Sequence, residues 1–154
     1  MHTTDAVGAA ARRLSGLLGS QAPDAVPGIR IRCGVDVVDV GDVREALERF
    51  GDRYRRRIFT DREIADACAP VRDVEARSLA ARFAAKEAVM KALQARDPAP
   101  RWREIDVRRS DDGSCSLQLH GRALEAARAA GVRELTVSLA HEGDAAVAFV
   151  VALA

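Results

Sequence analysis

From Ile29 to Val40 the apolar positions alternate with others: Ile31, Cys33, Val35, Val37 and Val38. A period of two, rich in β-branched side chains, predicts a strand with a buried face. Asp36 interrupts the apolar run. Val43, Leu47 and Phe50 then recur at three- and four-residue spacing, which puts them on one face of a helix from Asp42 to Phe50. Thr60 with Glu63 three residues on is a capping box. It opens a helix that runs to about Ala69 and stops at Pro70. The longest periodic stretch runs from about Val74 to Ala95, with Leu79, Phe83, Val89, Met90 and Leu93 among many alanines. Little in it disfavours a helix, and Pro98 and Pro100 end it.

Arg103–Arg109 and Ser114–Leu119 flank Asp111-Asp112-Gly113, a turn sequence suited to positive φ, so they predict a hairpin. Gly121 to Ala130 reads as a helix capped by Gly131. Two strands close the chain, Glu134–Leu139 and Ala145–Leu153, joined by a turn at His141 to Asp144. At the other end, Ala6 to Leu18 reads as a short amphipathic helix. Pro23, Pro27 and Gly28 break the chain after it. Residues 1–28 are therefore taken as an N-terminal extension and 29–154 as the domain. The order of elements predicts an α+β fold, one long helix packed on an antiparallel sheet.

The 154 residues amount to about one domain. Aromatics are only 4%, so Ala, Val and Leu must build most of the interior. A net charge of +1 does not mark a nucleic-acid binder. No apolar run approaches a membrane span, and the start lacks the pattern of a signal peptide. Cys33, Cys68 and Cys115 are far apart and form no CxxC pair, which argues against a zinc site or a disulfide framework. Scattered thiols suit a reducing, cytoplasmic setting. Arg53, Arg55, Arg56 and Arg57 lie close together, with Arg44 and Arg49 just upstream. This block could meet an acidic partner or phosphates, or be a solvated helix face.

Three features could carry chemistry. A carboxylate inside a Val-rich strand, Asp36, is unfavourable unless paired or metal-bound; alternatively it points to solvent. Glu87 and Lys91 share a helix face one turn apart, the spacing of an ordinary ion pair. Lys86 lies about 100° from Glu87 around the helix and could reach a neighbouring surface. His141, at the tip between two strands, could contact a phosphate or simply be solvated. None of the three is specific alone.

Taken in order, however, the motifs resemble one family. Gly34-Val35-Asp36-Val37-Val38-Asp39 resembles the first strand of the holo-acyl-carrier-protein synthases, the small 4'-phosphopantetheinyl transferases. Arg82-Phe83-Ala84-Ala85-Lys86-Glu87-Ala88-Val89-Met90-Lys91-Ala92 is similar to their signature helix. Arg57-Ile58-Phe59-Thr60-Asp61-Arg62-Glu63 and Val137-Ser138-Leu139-Ala140-His141 resemble two further segments. The match spans about residues 30–152. The resemblance implies transfer of 4'-phosphopantetheine from coenzyme A to a serine of an apo acyl or peptidyl carrier protein, releasing adenosine 3',5'-bisphosphate. It implies Asp36 and Glu87 as Mg2+ ligands and, with Lys91, as the catalytic set. Lys91, His141, Lys86 and Arg82 would bind the coenzyme. It also implies a homotrimer with active sites between subunits, and a basic surface that docks the acidic carrier.

Several positions depart from the family pattern. Gln94 replaces the glycine that usually follows the signature helix. Gly113-Ser114-Cys115 replaces Gly-x-Pro, Ala140 precedes the histidine, and Glu142 follows it. Asp42 stands where relatives often carry Arg. These departures, in an Ala- and Arg-rich chain, suit a specialised member serving a secondary-metabolite, polyketide-type carrier. They leave open a catalytically impaired relative that binds carrier protein or coenzyme A, or another enzyme on the same scaffold.

Overall fold

The alternating stretch folds as β1, Ile31–Asp39, in a computed structural model that describes residues 28–68, 72–96 and 98–154. Three short helices follow: α1 (Val40–Phe50), α2 (Asp52–Ile58) and α3 (Asp61–Ala67). The long helix, α4, is Arg72–Leu93. A 3-10 turn at Trp102–Glu104 leads into a hairpin, β2 (Ile105–Arg109) and β3 (Cys115–Leu119). Then come α5 (Gly121–Ala129), β4 (Glu134–Glu142) and β5 (Ala145–Leu153). Of the expected extension, residues 1–28, all but Gly28 lie outside the described residues, and so do its helix from Ala6 to Leu18 and Pro70.

The strands β1, β5 and β4 form an antiparallel sheet with β5 in the middle, and β2 and β3 pair separately. The register sets Asp36 opposite Ala148 and Val35 opposite Phe149. The architecture is α+β, as expected, with α4 packed on the larger sheet.

Small side chains let α4 come very close to that sheet. Ala84, Ala85, Ala88 and Ala92 are buried on the helix, and Ala148, Val150 and Ala152 on β5. The tightest point is Gly34 in β1, where an added Cβ would sit 1.9 Å from the carbonyl oxygen of Ala88. The glycine exists for this approach of two backbones rather than for its φ.

Besides shifts of one or two residues at several element ends, three differences from the sequence reading stand out. First, α2 is a helix that periodicity does not reveal. It is a single short helix that buries only Ile58 and carries four arginines, so it has no apolar repeat to read. Second, β4 continues to Glu142, because its pairing with β5 runs on through His141 opposite Ala146. The turn shrinks to Gly143 and Asp144. Third, α4 stops at Leu93. Gln94 takes a φ of 51°, and the amides of Gln94 and Ala95 donate to the carbonyls of Lys91 and Met90. That is a Schellman cap, which usually has glycine at this place.

Gly34→Ala should destabilise the fold by about 3 kcal/mol, at the upper end of overpacking costs because the obstacle is helix backbone. Urea unfolding checks this. A loss below about 1 kcal/mol would mean that α4 can lift from β1.

Candidate active site

The contact between Gly34 and Ala88 also places the chemistry. Asp36 lies two residues beyond Gly34, on the same face of β1, and Glu87 directly precedes Ala88. Lys91 follows Glu87 by one helical turn. The ion pair expected between Glu87 and Lys91 is replaced by a longer-range one. Lys91 Nζ donates to Asp36 Oδ1 at 2.7 Å and to the carbonyl of Val35 at 3.0 Å. Glu87 is left near Asp36 with its carboxyl pushed above the usual range. Desolvation is the main cause and the Asp36 charge the second, while Lys91 opposes both.

Asp36 and Glu87 border an open groove of about 330 Å³, lined also by Asp39, Asp42, Tyr54 and Phe83. No cluster of three or more metal-ligating side chains occurs among the described residues. Two facing carboxylates suit Mg2+, which keeps waters and takes its remaining oxygens from substrate phosphates. A divalent cation would also relieve the repulsion that Glu87 feels.

Lys86 requires a correction. It does not reach a neighbouring surface and cannot meet a coenzyme there. It is 0% exposed, with Nζ 2.9 Å from Glu63 Oε2. It also donates to the carbonyls of Trp102 and Ile105, and burial pulls its pKa down against the pull of Glu63. The residue that completes this pair, Glu63, closes the capping box at Thr60 and accepts from the Val107 amide.

Arg82 and His141 lie elsewhere. They line a pocket of about 640 Å³ together with Arg77, Ser78, Arg109 and Cys68. Arg82 is only 5% exposed; its Nη1 donates to Ser78 Oγ, and its Nε, also buried, has no partner among the described residues. Asp66 lies 3.9 Å from Arg82 Nη2 and Asp73 pairs with Arg77, so part of this charge is met, while the orphan Nε and Arg109 leave room for an anion. This pocket and the carboxylate groove share no lining residue. Sequence reasoning missed Arg77, Ser78 and Arg109. The four-residue spacing of Ser78 and Arg82 was a usable signal; the position of Arg109 depends on how the hairpin folds back.

The arginine block divides as well. Arg55 clasps Glu75 with one edge of its guanidinium, Nε and Nη2 donating to the two carboxylate oxygens at 2.7 and 3.0 Å, and Arg44 pairs with Asp73. Arg53, Arg56 and Arg57 remain exposed on α2, and Arg49 on α1. Two of the departures are milder in three dimensions than in sequence. Gln94 keeps the left-handed backbone that glycine would give. Glu142 follows His141 in an extended strand, so the two side chains point to opposite faces, and it does not line the Arg82 pocket.

The 4'-phosphopantetheinyl transferase superfamily matches residues 32–150. The holo-[acyl-carrier-protein] synthase of Herpetosiphon aurantiacus is 42% identical over 127 residues, covering 78% of this chain and 96% of its own. That of Micrococcus luteus is 45% identical over 121 residues, covering 77% and 88%. The crystal structure of the Helicobacter pylori enzyme in complex with coenzyme A superimposes with a TM-score of 0.67 at 25% identity, covering 78% of this chain and 98% of that one.

The raised carboxyl of Glu87 has a consequence for stability. Its protonated form is favoured by folding, so its contribution is fully present below the ordinary value of 4.5 and is lost as pH rises through the higher folded value. Glu87→Gln should therefore raise the melting temperature near pH 7 and leave it unchanged near pH 4. Equal melting curves at both pH values would show that Glu87 is not strained by its setting.

Proposed function

Because the chain belongs to the 4'-phosphopantetheinyl transferase superfamily and is a holo-[acyl-carrier-protein] synthase, we propose a division of labour between its groove and its basic pocket. The reaction moves 4'-phosphopantetheine from coenzyme A to the serine of an apo acyl carrier protein. Asp36 and Glu87 would hold Mg2+, which neutralises charge as the diphosphate bond breaks. Lys91 reaches from the same helix towards a phosphate. Arg82, oriented by Ser78, and His141 bind the nucleotide phosphates, with Arg77 adding positive charge. The observation that carries this reading is the groove itself: two carboxylates facing one another across β1 and α4, with a single lysine beside them.

A homotrimer accounts for the rest. The face of the larger sheet turned away from α4 is apolar and open: Ile31 is 71% exposed, Val37 63%, Val35 52% and Phe149 46%. A continuous patch of this kind on a sheet marks an interface. The groove and the pocket of one chain are separate, and a second copy seated on this face can bring the pocket of one subunit to the groove of the next. Coenzyme A then lies at the subunit boundary. The free thiols, Cys33, Cys68 and Cys115, support a cytoplasmic location.

Carrier proteins are acidic around the acceptor serine, so Arg49, Arg53, Arg56 and Arg57 form the docking surface. Asp42, exposed on the same helix as Arg49 and at the edge of the groove, adds a negative charge there. That combination supports a less acidic carrier, such as one from a secondary-metabolite pathway of the polyketide type, over the generic carrier of fatty acid biosynthesis.

Incubation with coenzyme A, Mg2+ and apo carrier, followed by the mass of the carrier, tests the transfer. Asp36→Ala and Glu87→Ala should each abolish it while the protein stays folded; a folded, fully active Glu87→Ala protein removes the metal assignment. Light scattering should give the mass of three chains, and Val37→Glu should lower both the mass and the rate. A fully active monomer would overturn the shared site. Salt and Arg53→Glu should each raise the KM for carrier with a smaller effect on kcat, because exposed charges steer association and are screened beyond about 8–10 Å. Asp42→Arg should improve use of a generic fatty-acid carrier. A carrier KM insensitive to both salt and Arg53→Glu would place docking elsewhere.

A further inference from the structure

Lys91 covers only half of a doubly anionic site. Its ammonium rests on Asp36 Oδ1 and the Val35 carbonyl, and Glu87 feels it only through space, with no ion pair of its own among the described residues. The lysine side chain is 53% exposed, against 17% for Asp36, so its stem lies along the surface and can swing away. It sits in the last turn of α4, two residues before the helix ends. An exposed pair of this kind is weak. A divalent cation shared by two carboxylates gains more than a lysine gains from one.

We propose that Lys91 is a displaceable counter-ion: it holds Asp36 in the metal-free enzyme, yields it when a divalent cation joins Asp36 to Glu87, and is then free to engage a substrate phosphate. The inference rests on the reading of Asp36 and Glu87 as cation ligands. Before the cation arrives, the lysine lowers the repulsion between the two carboxylates and keeps Asp36 turned into the groove. Its release couples two events, since the cation that frees Lys91 prepares the ligand for phosphate. By thermodynamic reciprocity, coenzyme A should then tighten cation binding by the same factor.

Magnesium chloride titrated by calorimetry into the full chain without coenzyme separates the possibilities. Lys91→Met should bind Mg2+ about five- to tenfold more tightly than the wild type, because it removes a competitor and a nearby positive charge. The same variant should bind coenzyme A more weakly. Glu87→Gln should bind Mg2+ more weakly than either protein. If Lys91→Met binds Mg2+ no more tightly while Glu87→Gln weakens it, the counter-ion role is overturned and the metal assignment stands. If Glu87→Gln binds as the wild type does, or no protein binds Mg2+, the metal assignment falls and the counter-ion role with it.

Discussion

A lysine ammonium shut away from water fixes how the long helix is turned. Lys86 is fully buried and meets Glu63 and the carbonyls of Trp102 and Ile105, so three segments converge on one charge. Breaking such a pair by removing one partner costs about 3–5 kcal/mol, because the other charge is left without water or counter-ion. Helix α4 therefore cannot rotate without exposing that cost. Glu87 is the next residue, about 100° round the helix. Holding Lys86 inward holds Glu87 outward, towards β1 and Asp36. The most buried charge in this helix thus sets the direction of the carboxylate beside it.

Rotation alone does not set the distance between helix and strand; Gly34 does that. With no Cβ there, the backbone of β1 lies against the Ala88 carbonyl, and Asp36 comes beside Glu87. The alanine-rich character of α4 and β5 follows from the same demand, since larger side chains would hold the sheet away. A carboxylate pair in this position is not a stabilising feature. The raised Glu87 carboxyl records desolvation first and repulsion from Asp36 second, a cost that the fold maintains through contacts made elsewhere. Such local conflict, set within an otherwise consistent core, is expected at functional sites.

Much of this was legible in the sequence, for physical reasons. The strand with Asp36, the capping box at Thr60 and the hairpin at Asp111 to Gly113 all follow from short-range rules, and each is present. Asp36, Glu87 and Lys91 could be named because a family motif holds them at fixed spacing. What the sequence could not convey was direction. Lys86 and Glu87 are equivalent charges in a string of letters, and only the packing of α3 and β2 turns one inward. Arg55 and Arg53 likewise belong to one basic run, yet Glu75 claims the first and leaves the second to solvent. Arg109 reaches the Arg82 pocket through a hairpin whose path no local pattern encodes.

The two faces of β1 complete the argument. Its even-numbered side carries Gly34, Asp36 and Val38 towards α4, while Ile31, Val35 and Val37 point away with nothing over them. A strand buried on one face ordinarily alternates apolar with polar. Here it is the face turned away from α4 that is apolar, with Ile31, Cys33, Val35 and Val37, and none of the described residues covers it. The apolar outer face is thus continuous, through one strand, with the Asp36 carboxylate on the other side. A change that shifted Val35 or Val37 would therefore be felt at Asp36, the residue between them.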